Sequence, residues 1–290
     1  MRTLLAAAPV TQQDVEAMVR YYQEAGPDYR AWSPAFNMHF GYWETGMNPL
    51  RREAMLERMN QIVTAPMLGR RRVLDMGCGV GASARSLAKR STWTKVAGVT
   101  IVPWQVERAW EMTPRDLRVE FCEEDYTQTG FADEAFDGAY AIESFCHGTG
   151  RDKAECLREA HRVLRKGGEL AIADGFVRHS NPLGGWLARI HRRICQCWSM
   201  DTLPVLPEVL ACLRDTGFQV TAVEDISWRV AMSVAHVPFV TARFLLSELA
   251  GKRRKLNRER WNNLLAPLLT GVVGLARRHF GYYILRAWKV

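Results

Sequence analysis

Several features are missing from this 290-residue chain, and each absence narrows what it can do. It has no Cys-x-x-Cys pair. Its seven cysteines are scattered and odd in number, and Cys195-x-Cys197 falls within a helical pattern. That spacing supports neither a zinc site nor a disulfide framework, so no metal is expected and reduced thiols in the cytoplasm are. The longest apolar run, Leu264 to Ala276, is too short to cross a bilayer and contains Pro267. The apolar stretch within Met1 to Ala8 is too short for a signal peptide. There is no internal repeat and no low-complexity linker, so a single domain is expected over residues 1–290. No reader motif accompanies the net charge of +8, and nucleic acid is not an expected partner. The basic excess gathers at Arg189–Arg193, Lys252–Arg260 and Arg277–His279. Such runs suit a solvated helix face, an anionic substrate or a membrane surface.

What is present is organised around Val73-Leu74-Asp75-Met76-Gly77-Cys78-Gly79-Val80-Gly81. The apolar run from Val73 to Met76 predicts a buried parallel strand, and Ala82 to Ala88 predicts a helix. Strand, glycine turn and helix together present bare backbone N–H groups at a helix N-terminus. The spacing is Gly-x-Gly-x-Gly with an acid two residues before the first glycine, which differs from the pyrophosphate-binding Gly-x-Gly-x-x-Gly.

Along the chain, Thr11-Gln12-Gln13-Asp14 reads as a capping box. It opens a helix through Val15, Met18, Val19 and Tyr22, which Gly26-Pro27 stops. The aromatic segment Met38-His39-Phe40-Gly41-Tyr42-Trp43-Glu44 suits either a packed loop or a lid over a cation. Asn48 to Met67 predicts a helix, and strands are predicted at Lys95–Val99, Arg118–Cys122, Phe136–Ile142, Glu169–Ala173, Phe218–Ile226 and Tyr282–Trp288. Thr100 stands where nucleotide-binding α/β units usually place a ribose-holding acid, with Gln105 one helical turn on. Asp125 follows the third strand, where polar residues face the ligand crevice. Glu143 and His147 follow the fourth strand and Asp174 the fifth. Arg151 to Leu164 predicts an amphipathic helix that Lys166-Gly167-Gly168 caps. Further helices are expected at Leu183–Trp198, at Pro207–Thr216 and through Arg229–His279.

Asp75-x-Gly77-x-Gly79-x-Gly81, Asp125-Tyr126 and Arg162-Val163-Leu164-Arg165-Lys166-Gly167-Gly168 resemble three motifs of the class I S-adenosylmethionine (SAM)-dependent methyltransferases. More narrowly, the chain resembles the small-molecule group of sterol C-methyltransferases, tocopherol methyltransferases and sugar O-methyltransferases of natural-product pathways. That likeness rests on His39-Phe40-Gly41-Tyr42-Trp43, Gly98-Val99-Thr100-Ile101 with Gln105, and Ile142-Glu143-Ser144 with His147. Lys166 stands where that pattern has proline. The resemblance implies an α/β Rossmann-like fold with a mostly parallel seven-stranded sheet, an N-terminal helical lid and a helical insertion before the last strand. It divides the domain into a lid (1–68), a SAM-binding core (69–180) and a substrate cap with closing strands (181–290).

It implies SAM as cofactor, held by Tyr22, Asp75, Gly77, Gly79, Thr100, Ile101, Gln105, Asp125, Tyr126 and Glu143. Glu143, His147 and Asp174 are the candidate acid–base residues, since histidine takes a proton near neutral pH and a carboxylate orients it. The apolar faces after Leu183, beside basic clusters, point to a lipophilic small-molecule acceptor. C-methylation of an isoprenoid-type acceptor ranks first, then O-methylation of an aromatic or glycosylated natural product. Cyclopropane-synthase-like lipid modification and a non-catalytic partner subunit complete the alternatives. Peripheral membrane contact and a homo-oligomer are further expectations.

Overall fold

The computed structural model describes residues 12–250 and 255–290. The capping sequence that begins at Thr11 and most of the run Lys252–Lys255 lie outside the described residues. Seven strands build one sheet: β1 (Arg72–Met76), β2 (Lys95–Thr100), β3 (Val119–Glu123), β4 (Phe136–Ile142), β5 (Leu164–Val177), β6 (Phe218–Asp225) and β7 (Phe280–Lys289). Their spatial order is β3-β2-β1-β4-β5-β7-β6. The first five pair in parallel, and β7 runs antiparallel to both β5 and β6. The expected mostly parallel sheet is therefore present. Every residue of β4 is buried, as a central parallel strand covered on both faces requires. Strand order reverses between β1 and β4, so the crevice beyond their C-terminal ends is the ligand position of an open α/β sheet.

The helices are α1 (Gln12–Ala25), α2 (Tyr29–Trp32), α3 (Arg52–Thr64), α4 (Ala82–Arg90), α5 (Pro103–Glu111), α6 (Ala154–Val163), α7 (Gly185–Cys197), α8 (Leu206–Asp215), α9 (Ser227–Val234), α10 (Val237–Ala250) and α11 (Arg258–Leu275). One buried cluster joins α3 and α4 to one face of the sheet through Met59, Val63 and Leu87. A second joins α6 and α8 to the other face through Leu157, Val163, Val209 and Leu213. A third gathers α7, α11 and the start of β7 around Ile194, Cys195, Val273 and Phe280.

Three expectations need correction. Gly167 and Gly168 do not cap α6. The helix ends at Val163 with Leu164 already extended, and Leu164 pairs with Phe136. The next pairing is Glu169 with Gly138, so Lys166–Gly168 forms a bulge within β5, where a local register shift replaces helix termination. β5 also runs on to Val177 because β7 continues to pair with it, which places Asp174 inside the strand instead of beyond its end. Finally, Arg260 does not belong to a solvated basic cluster. It is 2% exposed and pairs with Asp28 at 2.7 Å and Glu248 at 3.0 Å. Its burial is tolerable because two carboxylates and a backbone carbonyl, that of Lys255, satisfy the guanidinium. It locks α11 to α10 and to the turn after α1.

Candidate active site

The turn after β1 is held from below. The N–H groups of Gly77 and Cys78 both donate to the Val99 carbonyl, at 3.0 and 2.9 Å. The first helical hydrogen bond of α4 runs from Arg85 to the Gly81 carbonyl, which leaves the N–H groups of Ala82, Ser83 and Ala84 without helical acceptors. Gly77 has a φ of +83°, and a Cβ there would overlap the Cβ of Ser144. Asp75 is buried beneath the turn, and its Oδ2 accepts from the hydroxyls of Ser83 at 2.7 Å and Tyr140 at 2.9 Å.

A cavity lies over this turn. Asp75, Gly77, Gly79, Thr100, Ile101, Gln105, Asp125, Tyr126, Glu143, Tyr22 and His147 all line it, so the structure brings together the residues singled out for the cofactor. Within it the Thr100 hydroxyl donates to Gln105 Oε1 at 2.6 Å, which makes the two one polar unit. The Tyr126 hydroxyl donates to the Ser144 carbonyl at 2.7 Å and braces the chain after β4. Asp125 is exposed at the rim, where its Oδ1 accepts from the Thr127 N–H and hydroxyl.

A second, larger cavity of about 480 Å³ adjoins the first. The two share Tyr22, Met38, Glu143 and His147. Asp174 lines only the larger one, where its carboxylate accepts from the N–H groups of Cys146 and Gly175 at 2.9 and 2.7 Å. The remaining wall comes mainly from α9 and α11, with Val230, Val234, Leu268 and Val273, joined by Ile194 of α7 and by Trp198 just after it. Glu143 has a φ of +48° and sits in the partition. Its Oε1 accepts from the Phe40 N–H at 2.6 Å and from the Tyr282 hydroxyl at 2.8 Å. The ring nitrogen Nε2 of His147 and the Tyr22 hydroxyl share a 2.9 Å hydrogen bond, while His147 Nδ1 is buried without a protein partner.

The aromatic segment supplies Met38, His39 and Phe40 to the cavity walls, and Phe36, two residues before it, joins them. His39 itself is a packing residue: its two ring nitrogens lie 2.8 Å from the Phe40 carbonyl and 2.9 Å from the Asn60 side-chain amide, and burial lowers its pKa. Tyr29 and Tyr282 line the larger cavity and carry no mark in the sequence beyond being aromatic.

Residues 74–172 match the model of a methyltransferase domain family. The chain is 34% identical over 194 residues to the O-methyltransferase rstn1 of Aspergillus nomiae, covering 65% of this chain and 83% of that protein. The chain belongs to the class I SAM-dependent methyltransferases. It is also 36% identical over 160 residues to the 2-methyl-6-phytyl-1,4-hydroquinone methyltransferase of Synechocystis. That match covers 54% of this chain and spans about half, 49%, of the relative. In structure the methyltransferase superposes on a cyclopropane synthase from Mycobacterium tuberculosis with a TM-score of 0.78 at 19% identity, covering 99% and 100% of the two chains, a likeness of fold.

The cavity fits SAM on its own chemistry. It offers unpaired N–H groups at a helix start, carboxyls for a cationic ligand, and the rings of Phe36, Tyr22 and Tyr126. Burial raises the carboxyls of this methyltransferase: Asp75 to about 7, Glu143 to about 8 with Asp174 adding repulsion, and Asp174 to about 6. Burial and, secondarily, the Lys153 ammonium push His147 down to about 4.

These shifts set a pH dependence of stability. A carboxyl raised in the native state contributes stability that is lost as pH climbs from its unfolded to its folded value, whereas a depressed histidine contributes stability lost as pH falls. Above pH 6.5, the ordinary histidine value, the carboxyls dominate. The melting temperature of the ligand-free enzyme is therefore expected to decline from pH 6.5 to about 8 and then level off. Glu143→Gln should flatten most of that slope, as differential scanning calorimetry would show; a rise across the window would contradict the assignment.

Proposed function

We propose that this methyltransferase moves the SAM methyl to a hydroxyl of a lipophilic acceptor with an uncharged head. The observation that carries the reading is the shared wall: Tyr22, Met38, Glu143 and His147 face both the glycine-turn cavity and the larger apolar one. Bound SAM supplies an electrophilic methyl on a sulfonium centre. In this reading the α4 N-terminus, the glycine turn, Asp75, Tyr22 and Glu143 surround its amino-acid end. Thr100, Ile101 and Gln105 meet the ribose, and Asp125 with Tyr126 meets the adenine. The N-terminal region to residue 68 acts as the lid, 69–180 as the cofactor core and 181–290 as the acceptor cap.

His147 takes the hydroxyl proton. In the tautomer that donates Nε2–H to Tyr22, Nδ1 keeps the lone pair; it is buried in the ligand-free protein, so the ring has to turn for Nδ1 to meet the acceptor hydroxyl, and its depressed pKa keeps the ring neutral at neutral pH. Tyr22 orients the ring, while Glu143 tethers the Phe40 segment that keeps water out. Positioning and desolvation then carry much of the rate.

The charge of the larger cavity argues against a diphosphate head. Arg277 is its single Lys or Arg among the described residues, and of the two carboxyls that line it Asp174, at about 6, is ionised at neutral pH while Glu143, at about 8, is largely protonated. The cluster at Arg189–Arg193 contributes none of its arginines to the lining, and Arg193 bonds Asn262 instead. A hydroquinone or phenol bearing an isoprenoid or polyketide body fits this wall. C-methylation remains the second reading, favoured by the phytylhydroquinone relative, because the same proton loss enriches a ring carbon beside the oxygen. Seven free cysteines suit a reducing cytoplasm. Titration calorimetry with SAM and with S-adenosylhomocysteine tests the cofactor half: both should bind, and binding of neither would overturn it.

A further inference from the structure

We propose that the outer face of α10 and α11 docks on an anionic lipid surface, so that the larger cavity opens toward the lipid phase. The inference rests on the lipophilic-acceptor reading of that cavity.

The exposed residues of α10 include Phe239, Ala242, Arg243, Leu246 and Leu249, spaced three and four apart and therefore on one helix face. Phe239 is 82% exposed, Leu246 67% and Leu249 84%. On α11 the exposed Arg258, Trp261, Leu268, Val272 and Leu275 follow the same spacing, and Leu275 is 84% exposed. Isolated surface leucines need no explanation, but two adjacent helices with apolar outward stripes form a patch that a monomer rarely leaves bare. Trp228, Pro238, Leu268 and Leu275 are exposed and also line the larger cavity, so the patch is continuous with its mouth.

Charge identifies the occupant. The exposed positions of both helices carry Arg243 and Arg258 and no acid, and Arg277 and Arg278 follow directly after α11. A basic, apolar face of this kind lies in the interface of an anionic bilayer. A second copy on a two-fold axis would instead oppose arginines to arginines with no acid between them.

The segment does not cross the bilayer. The apolar stretch Ser227–Ala250 is interrupted between Val234 and Val237, where His236 Nε2 donates to the Pro49 carbonyl at 2.8 Å. α9 is held to the core by buried Val230 and by a hydrogen bond from the Trp43 N–H to the Arg229 carbonyl at 3.0 Å. The 14 residues of α10 reach about 21 Å at about 1.5 Å each, short of a hydrocarbon core of about 30 Å.

Cosedimentation with phosphatidylcholine vesicles, with and without phosphatidylglycerol, tests the proposal without requiring turnover. The full chain should pellet with the anionic vesicles and less with the neutral ones. The triple variant Phe239→Ser, Leu246→Ser, Leu249→Ser should bind them at least about tenfold more weakly, with its melting temperature and its calorimetric SAM affinity kept. Arg243→Glu with Arg258→Glu should weaken binding to the anionic vesicles alone. Wild-type protein that stays in the supernatant, or a triple variant that pellets equally, overturns the proposal. So does a wild-type dimer that the variant dissociates while neither protein pellets, which would assign the face to a second copy. If vesicle binding holds while no lipophilic acceptor is methylated, the acceptor reading alone has failed.

Discussion

Gly77→Ala should lower SAM affinity by at least about a hundredfold. Two effects combine at this position. A φ of +83° is strained for any residue with a Cβ, at about 1–3 kcal/mol. The new methyl would also overlap the Cβ of Ser144, which is fixed by its hydroxyl bond to the Met76 carbonyl. The turn can relieve that overlap only by moving away from Val99, whose carbonyl holds both Gly77 and Cys78. That shift displaces the backbone of the cofactor cavity. Because the variant could also unfold, Gly77→Ala combined with Ser144→Gly separates the causes: it removes the overlap and should regain fold and part of the affinity. Calorimetric titration of both variants beside their thermal melts gives the answer. Wild-type affinity in folded Gly77→Ala would show that the turn does not shape the site.

His147→Ala should reduce kcat by about 10²–10⁴ while SAM affinity stays near that of wild type. The histidine lies where the two cavities meet, and among the described residues no other histidine lines both; His39 lines only the first, and its ring is hydrogen-bonded to Asn60. Tyr22→Phe should cost less, since it loosens the ring without removing the base. The pH profile adds a signature that loss of packing would not produce. Burial holds His147 at about 4, so the wild-type acid limb should fall near pH 4 to 5, well below the ordinary histidine value of 6.5. An acid limb at 6.5, or an unchanged kcat in the alanine variant with saturating acceptor, would remove His147 from the proton transfer.

Much of this site is written locally. β1 and its glycine turn occupy residues 72–81, and the strand–turn–helix pattern there needs no distant partner to be read. The same holds for Thr100, Gln105 and Asp125, each set by distance from a strand end. What the sequence hides are contacts between distant residues. Tyr22 meets His147 across 125 positions, and Tyr282 reaches Glu143 across 139. No hydrophobic period encodes such meetings. Arg260 misleads for the same reason, since its neutralising acids, Asp28 and Glu248, come from two other elements. The paired glycines at 167 and 168 fit a helix cap locally, but the register of β5 against β4 uses them as a bulge. The basic cluster at Arg189–Arg193 resembles an anion site in sequence, yet α7 gives the cavity Ile194 and leaves Arg189, Arg192 and Arg193 exposed.

The most direct test of the account is methyl transfer itself, with radiolabelled SAM and a panel of lipophilic phenols, hydroquinones and prenyl diphosphates. Label should pass into the organic phase with an uncharged hydroxyl acceptor, with one S-adenosylhomocysteine formed per methyl and the product methylated on oxygen. Label that appears only with prenyl diphosphates, and stays aqueous until phosphatase is added, would contradict the uncharged-head claim.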